Sequence, residues 1–262
     1  MSTTWLDVVP LWLLFPASVA VVLAVIEAGY RIGAFRRQRN PDEKEAPVGA
    51  MSAASLGLLA FFLAITFGYA ANRFDERRRA LIDEVNAIGT CFLRTETLSD
   101  EIAAQIKPLL RDYVRNRIEG STIETVAASI VRAEEIQAKL WPLAMRAVHD
   151  DRSAVTGLFV SSLNDVIDLH TKRVTYALHS RLPGVVWTSL TFATVLSMAI
   201  LGYLEGLSRS TRSPAAVAVV LIFATLFTLV ADMDRPGEGS LRLGPQMMID
   251  LERQLSTKAP AT

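Results

Sequence analysis

Cysteine and histidine are scarce in this chain, and their scarcity excludes much familiar chemistry. Of 262 residues, one is cysteine and three are histidine. Cys91 alone can form no intrachain disulfide and supplies no thiolate set for zinc. With Thr90 and Phe92 beside it in a helical pattern, it reads as a small packed thiol. His149, His170 and His179 are too scattered to share one helical face as metal ligands, and Asp168 stands only two residues from His170, on a different side of a helix. Charge of one sign is also lacking. Lys+Arg and Asp+Glu both number 27, so there is no basic footprint for nucleic acid. Nor is there a phosphate-binding glycine loop, an H-E-x-x-H or a G-x-S-x-G. The consecutive carboxylates Asp83 and Glu84 read as part of a charged face. No catalytic residue, cofactor or metal site is expected, and the chain does not read as an enzyme.

Long apolar runs are what the chain does have, and they account for a mean hydropathy above zero. The first extends from Pro10 to about Ala34, the second from about Ala50 to Ala71, the third from about Val185 to Leu204 and the fourth from Pro214 to Ala231. Helices of such lengths, at ~1.5 Å per residue, cross a ~30 Å hydrocarbon layer. Asp7 precedes the first run and no Lys or Arg does, so it reads as a retained anchor and not a signal peptide. Glu27 and Arg31 near its end are spaced as an i,i+4 pair, an interfacial arrangement. Pro183 and Pro214 mark the starts of the last two spans, where a missing N–H costs nothing.

The expected organisation is a first hairpin over residues 1–71, a helical soluble domain over 72–182, a second hairpin over 183–231 and a tail over 232–262. An even number of crossings puts both termini and the central domain on one side. Lys and Arg are nearly balanced across the two faces, so the residues alone leave that side open. The fold class is all-α, a polytopic membrane protein with a helical bundle inserted between its second and third spans.

The second span has two unlike faces. Ala53, Gly57, Ala60, Ala64, Gly68 and Ala71 recur at spacings of three and four, a small-residue ridge that lets another backbone come close in lipid. Leu58, Phe62, Ile65 and Tyr69 form a bulky stripe opposite. Either the stripe meets lipid while the ridge packs on neighbours, or several copies gather with the stripe around an axis as a hydrophobic constriction. In the third span, Thr188, Thr191 and Thr194 have hydroxyls of the kind that bond back to their own helix.

Beyond Ala71 the apolar spacing continues through Phe74, Leu81, Val85, Ile88 and Phe92, so the second span should run on as one long helix. Arg73, Arg77, Arg78 and Arg79 cluster where it leaves the membrane. Further helices are predicted from Ser99 to Gly120 with a bend at Pro108, from a capping box at Ser121–Glu124 to Pro142, and from about Ser153 to Ser180 with Val155 and Phe159 inside. After the fourth span, Asp232, Asp234, Arg235 and Pro236 open an acidic turn that reads as a capped exit with Asp234 paired to an arginine. Its oxygen ligands, with Glu238, fall short of the ligand spacing of a calcium loop. A short amphipathic segment from Gln246 to Leu255 follows.

The run Ala70-Ala71-Asn72-Arg73-Phe74-Asp75-Glu76-Arg77-Arg78-Arg79 resembles the bacterial bestrophin-like membrane proteins, as do Glu84–Thr90, Arg181-Leu182-Pro183 and Asp232-Met233-Asp234-Arg235-Pro236. The likeness covers most of residues 50–255 and reaches more distantly to the bestrophin anion channels. It implies a homo-oligomer, a pentamer by analogy, with a cytoplasmic helical domain and a hydrophobic neck on the second span. Leu58, Phe62, Ile65 and Tyr69 would then be neck candidates. Small anions and the lipid bilayer are the partners so implied, with Arg73, Arg77, Arg78 and Arg79 either attracting anions or serving structure. The chain departs from the bestrophins in its reduced acidic turn. The alternative reading is a non-conducting membrane scaffold or sensor whose helical domain docks a partner protein.

Overall fold

The computed structural model describes residues 8–40, 45–120, 125–179, 181–208, 214–235, 241 and 244–257. Among these, the chain forms the helices α1 (Leu11–Arg39), α2 (Glu45–Arg94), α3 (Asp100–Glu119), α4 (Val126–Asp150), α5 (Ala154–His179), α6 (Gly184–Leu207), α7 (Pro214–Asp234) and α8 (Gln246–Thr257), and no strand. They gather into two compact units. One holds residues up to Phe74 together with Arg181–Leu241; the other holds Asp75–Ser180 and Arg242–Thr262. α2 is unbroken over 50 residues and contributes to both.

The first unit contains α1, the first part of α2, α6 and α7, and α1, α2, α6 and α7 are each long and apolar enough to cross a bilayer. In hydrocarbon, burying one apolar helix against another gives no hydrophobic gain, so close backbone contact must hold such helices together. Here α1 and α6 meet along a glycine seam. A methyl placed on Gly29 would lie 2.3 Å from the Ala199 carbonyl oxygen, and one on Gly33 2.2 Å from that of Tyr203. From the other side, Gly202 would collide with the Ile26 oxygen at 2.1 Å and Gly206 with the Tyr30 oxygen at 2.1 Å. Two G-x-x-x-G pairs thus face each other, and Arg37 adds a bond from Nη1 to the Gly206 oxygen at 2.9 Å.

The sequence reading assigned close packing to the ridge on α2. The structure adds a pairing of α1 with α6 that this reading missed. The α6 hydroxyls do bond within their own helix, Thr188 to Gly184, Thr191 to Trp187 and Thr194 to Leu190, at 2.7–3.0 Å. Trp187, fully buried, meets Phe227 of α7 edge-on with ring centres 5.4 Å apart. Pro183 and Pro214 stand at the starts of α6 and α7. Glu27 and Arg31 form their ion pair at 2.9 Å. α1 and α2 run further towards each other than their apolar runs do, leaving only residues 40–44 between them.

The second unit packs α3, α4, α5, α8 and the remainder of α2 around Ile88, Phe92, Ile106, Leu110, Ile136, Leu140, Phe159 and Leu163. α3 begins after Ser99, whose hydroxyl makes no cap bond; Asp100 and Glu101 in its first turn complement the helix dipole instead. Two expectations fail here. α4 does not stop at Pro142 but continues to Asp150, and Val155 lies exposed at the start of α5. A proline inside a helix forfeits one bond, and burial of Leu140, Ala144 and Ala147 on the same face offsets it. The capping box at 121–124 lies outside the described residues.

Gly202→Ala should force α1 from α6 and lower thermal stability in detergent by about 1–3 kcal/mol, the usual cost of overpacking. Gly49→Ala, whose methyl would meet only Leu204 Cδ1 at 4.0 Å, should be neutral or stabilising. Equal melting temperatures for the two variants would refute the seam.

Candidate functional site

Three faces divide the membrane half of α2. At about 100° per residue, positions 52, 59, 63, 66 and 70 share one side of the helix. Ser52, Leu59, Leu63, Thr66 and Ala70 on that side are buried within the subunit. The Thr66 hydroxyl bonds to the Phe62 carbonyl at 2.8 Å, and Ser197 of α6 donates to the Ser55 carbonyl at 3.2 Å. The ridge and the stripe each lie about a third of a turn away, in opposite senses.

On the ridge, Ala53, Gly57, Ala60 and Ala64 are exposed, Gly68 is half-buried, and Gly57 and Gly68 have open space where a methyl would stand. On the stripe, Leu58, Ile65 and Tyr69 retain 69%, 54% and 42% exposure, while Phe62 is half-buried against the unit's core. Phe61, at 63% exposure, also lies on this outward side and was not singled out from the sequence.

The four arginines after the span do not act alike. Arg73 donates to the Tyr69 hydroxyl at 2.5 Å, and its guanidinium carbon sits 4.9 Å from the Tyr69 ring centre. Arg77 is buried, whereas Arg78 and Arg79 are exposed.

At the end of α7, Asp234 is almost fully buried. Its Oδ1 accepts the Leu182 amide at 2.7 Å, and its Oδ2 lies 3.7 Å from Arg181 Nη2. Asp232 Oδ1 accepts the Leu241 amide at 3.5 Å, and Arg235 donates from Nη1 to the Val9 carbonyl at 2.8 Å. The turn is thus a junction of chain segments, its carboxylates engaged by amides and a guanidinium. Pro236 and Glu238 lie outside the described residues. No group of three or more His, Cys, Asp or Glu side chains placed to hold a metal occurs among the described residues.

The second unit encloses a charged cluster that the sequence reading missed. Glu84, read as part of a charged face, is 0% exposed. It faces Arg117, with Nε 3.1 Å from Oε1, and Arg173, which pairs with Oε2. Tyr113 donates its hydroxyl to Oε1 at 2.9 Å, and the same hydroxyl oxygen lies 3.2 Å from His170 Nδ1. With its one proton given to Glu84, the tyrosine accepts from Nδ1–H, which leaves Nε2 of His170 bare and buried without a partner. A signal existed. Glu84 stands three residues after Leu81 and four before Ile88, inside the apolar stripe of α2.

Burial pushes the Glu84 carboxyl up, but the Arg117 and Arg173 guanidiniums and the bonds from Arg173 and Tyr113 outweigh it, and the group titrates below 4.5. Burial, aided by Arg117, pulls His170 down from 6.5 to about 4. Cys91 is pushed up to about 12 by burial, the behaviour of an inert thiol.

Helices apolar enough to span a bilayer, joined through one long helix to a second all-helical unit, define a multi-pass membrane protein. A family model described as Bestrophin-like domain matches residues 17–248, and the chain belongs to the bestrophin-like family. Similar solved structures include a single-substitution variant of a bacterial Bestrophin homolog from Klebsiella pneumoniae, with 15% identity, a TM-score of 0.70, and coverage of 91% of this chain and 98% of that one. A bacterial Bestrophin homolog from Klebsiella pneumoniae solved by Zn-SAD phasing gives 14% identity, a TM-score of 0.70, and coverage of 94% and 97%. A further single-substitution variant, described only as a membrane protein, gives 13%, a TM-score of 0.71, and 91% and 98%. Identities this low establish a shared fold and nothing further. No curated protein matches the chain.

The buried cluster can be tested at both of its titrating members. Glu84→Gln leaves two guanidiniums facing no carboxylate and should cost about 3–5 kcal/mol, the typical result of breaking a buried ion pair. Thermal unfolding in detergent would reveal it, and a shift within error of wild type would refute the pairing. His170 releases its proton on folding, so the stability tied to its neutral form is complete above 6.5 and declines as pH falls from there towards about 4. His170→Gln should flatten the melting temperature over that window, leaving the further loss below 4.5 that belongs to Glu84.

Proposed function

We propose that copies of this chain assemble around an axis lined by α2 and conduct small anions across the membrane. The observation that carries this reading is that α2 leaves Ala53, Gly57, Ala60 and Ala64 exposed on one face and Leu58, Ile65 and Tyr69 exposed on another. Lipid satisfies a bulky apolar stripe as well as any protein surface does. It gains nothing from a groove of exposed small residues, whereas a neighbouring helix gains close approach there. With the ridge of Ala53, Gly57, Ala60 and Ala64 against the next copy, the stripe is left to face the axis. Leu58, Ile65 and Tyr69, with Phe62 behind them, then form a hydrophobic neck of the kind that gates by dewetting. Arg73, Arg78 and Arg79 beyond it raise the local anion concentration.

In this reading residues 1–71 and 183–231 are the two transmembrane hairpins, residues 72–182 form a water-soluble domain, and the tail begins at 232. The domain and both termini share the cytoplasmic side. Five copies are expected from the family resemblance. A second reading, a non-conducting scaffold or sensor, draws on the exposed Leu93, Val155 and Leu158 of the second unit, a surface suited to a partner protein.

Purified protein in planar bilayers should pass chloride in preference to potassium, and Ile65→Ala and Phe62→Ala should alter unitary conductance or open time. Electrically silent membranes containing verified, intact oligomers would overturn the channel and favour the scaffold.

A further inference from the structure

The glycine seam holds α1 and α6 together over only part of their length. Its contacts involve Ile26 to Ala34 of α1 and Ala199 to Gly206 of α6. Towards the start of α1, an apolar cavity of about 300 Å³ lies against α1, α6 and α7. Its walls include Leu14, Ala17 and Val21 of α1 and Val195 and Met198 of α6, with Phe223 of α7 behind. The two threonines on the α6 wall, Thr191 and Thr194, have spent their hydroxyls on the Trp187 and Leu190 carbonyls. Ser18 adds one hydroxyl from α1. Nothing on the α6 wall calls for water or an ion.

Shape narrows the occupant further. From Leu14 to Val25 the groove follows α1 for about 16 Å at ~1.5 Å per residue, close to half of a ~30 Å hydrocarbon layer. It is therefore as long as one leaflet is thick. It also opens sideways past Val21 and Val195, both exposed, onto the apolar flank that includes Phe192 and Leu196. That flank belongs to a helix long and apolar enough to span a bilayer, so the groove opens onto the apolar exterior of the membrane unit. A compact polar ligand would find no partner here, whereas an extended hydrocarbon chain fits both length and lining.

We infer that this groove binds one acyl chain of a membrane phospholipid, held as part of the structure and not exchanged with the surrounding lipid. The binding rests on the membrane unit alone and does not depend on conduction.

The test is native mass spectrometry of the full chain after reconstitution in phosphatidylcholine vesicles, re-extraction and a delipidating detergent wash. Oligomeric state is followed by size-exclusion chromatography. Wild type should retain one phosphatidylcholine per subunit. Ala17→Phe and Val195→Phe, which fill the groove from opposite walls, should each lose it, while Leu226→Phe on the exposed side of α7 should keep it. Wild type stripped bare by the wash would overturn the proposal, and so would folded Phe variants that retain the lipid. A groove-filling variant that dissociates the oligomer would also overturn it, because the groove would then hold a second copy of this chain. The wild-type measurement decides the matter even if neither variant folds.

Discussion

In a hydrocarbon solvent, helices are held together by how closely their backbones can approach, and this constraint shapes the membrane unit. Gly29, Gly33, Gly202 and Gly206 remove the side chains that would keep α1 and α6 apart. Beyond those glycines, towards the start of α1, an apolar groove lies against α1, α6 and α7. One local choice of residue therefore sets how closely α1 and α6 approach along the seam.

The second unit obeys a different rule. Its core excludes water around Ile106, Leu110, Leu140 and Leu163, yet it also encloses Glu84, Arg117 and Arg173. Such a cluster is a doubtful source of net stability, because taking the charges out of water costs about what their attraction returns. What it does provide is geometric demand. α2, α3 and α5 must meet with Glu84, Tyr113, Arg117, His170 and Arg173 in register, or leave a buried charge alone.

The parts of this architecture imposed by solvent were legible in the sequence. Lipid dictates run length, so four apolar helices could be read directly, and so could the unbroken passage of α2 through Asn72 into Leu81 and Phe92. The bestrophin-like family was legible in the residues around Arg73 and Asp234. Contacts between distant segments were not. Nothing local to Asp234 names the Leu182 amide as its partner, and nothing near Glu84 announces Arg117 or Arg173. The facing G-x-x-x-G pairs of α1 and α6 were visible as motifs, but each gains meaning only once the other is placed against it. Pro142 misled because a proline signals a helix end only when tertiary burial does not override it.

The bond from Leu182 to Asp234 reaches beyond the turn where it sits. It ties the residue before Pro183 to the last residue of α7, so α6 and α7 are joined by the chain at one end and latched by a carboxylate at the other. A one-turn slide of α6 past α7 would have to break that latch and strand an amide in or near lipid, where an unsatisfied N–H costs several kcal/mol. α6 is in turn seamed to α1. The latch and the seam therefore link these three helices into a frame that resists sliding of α6 past either neighbour.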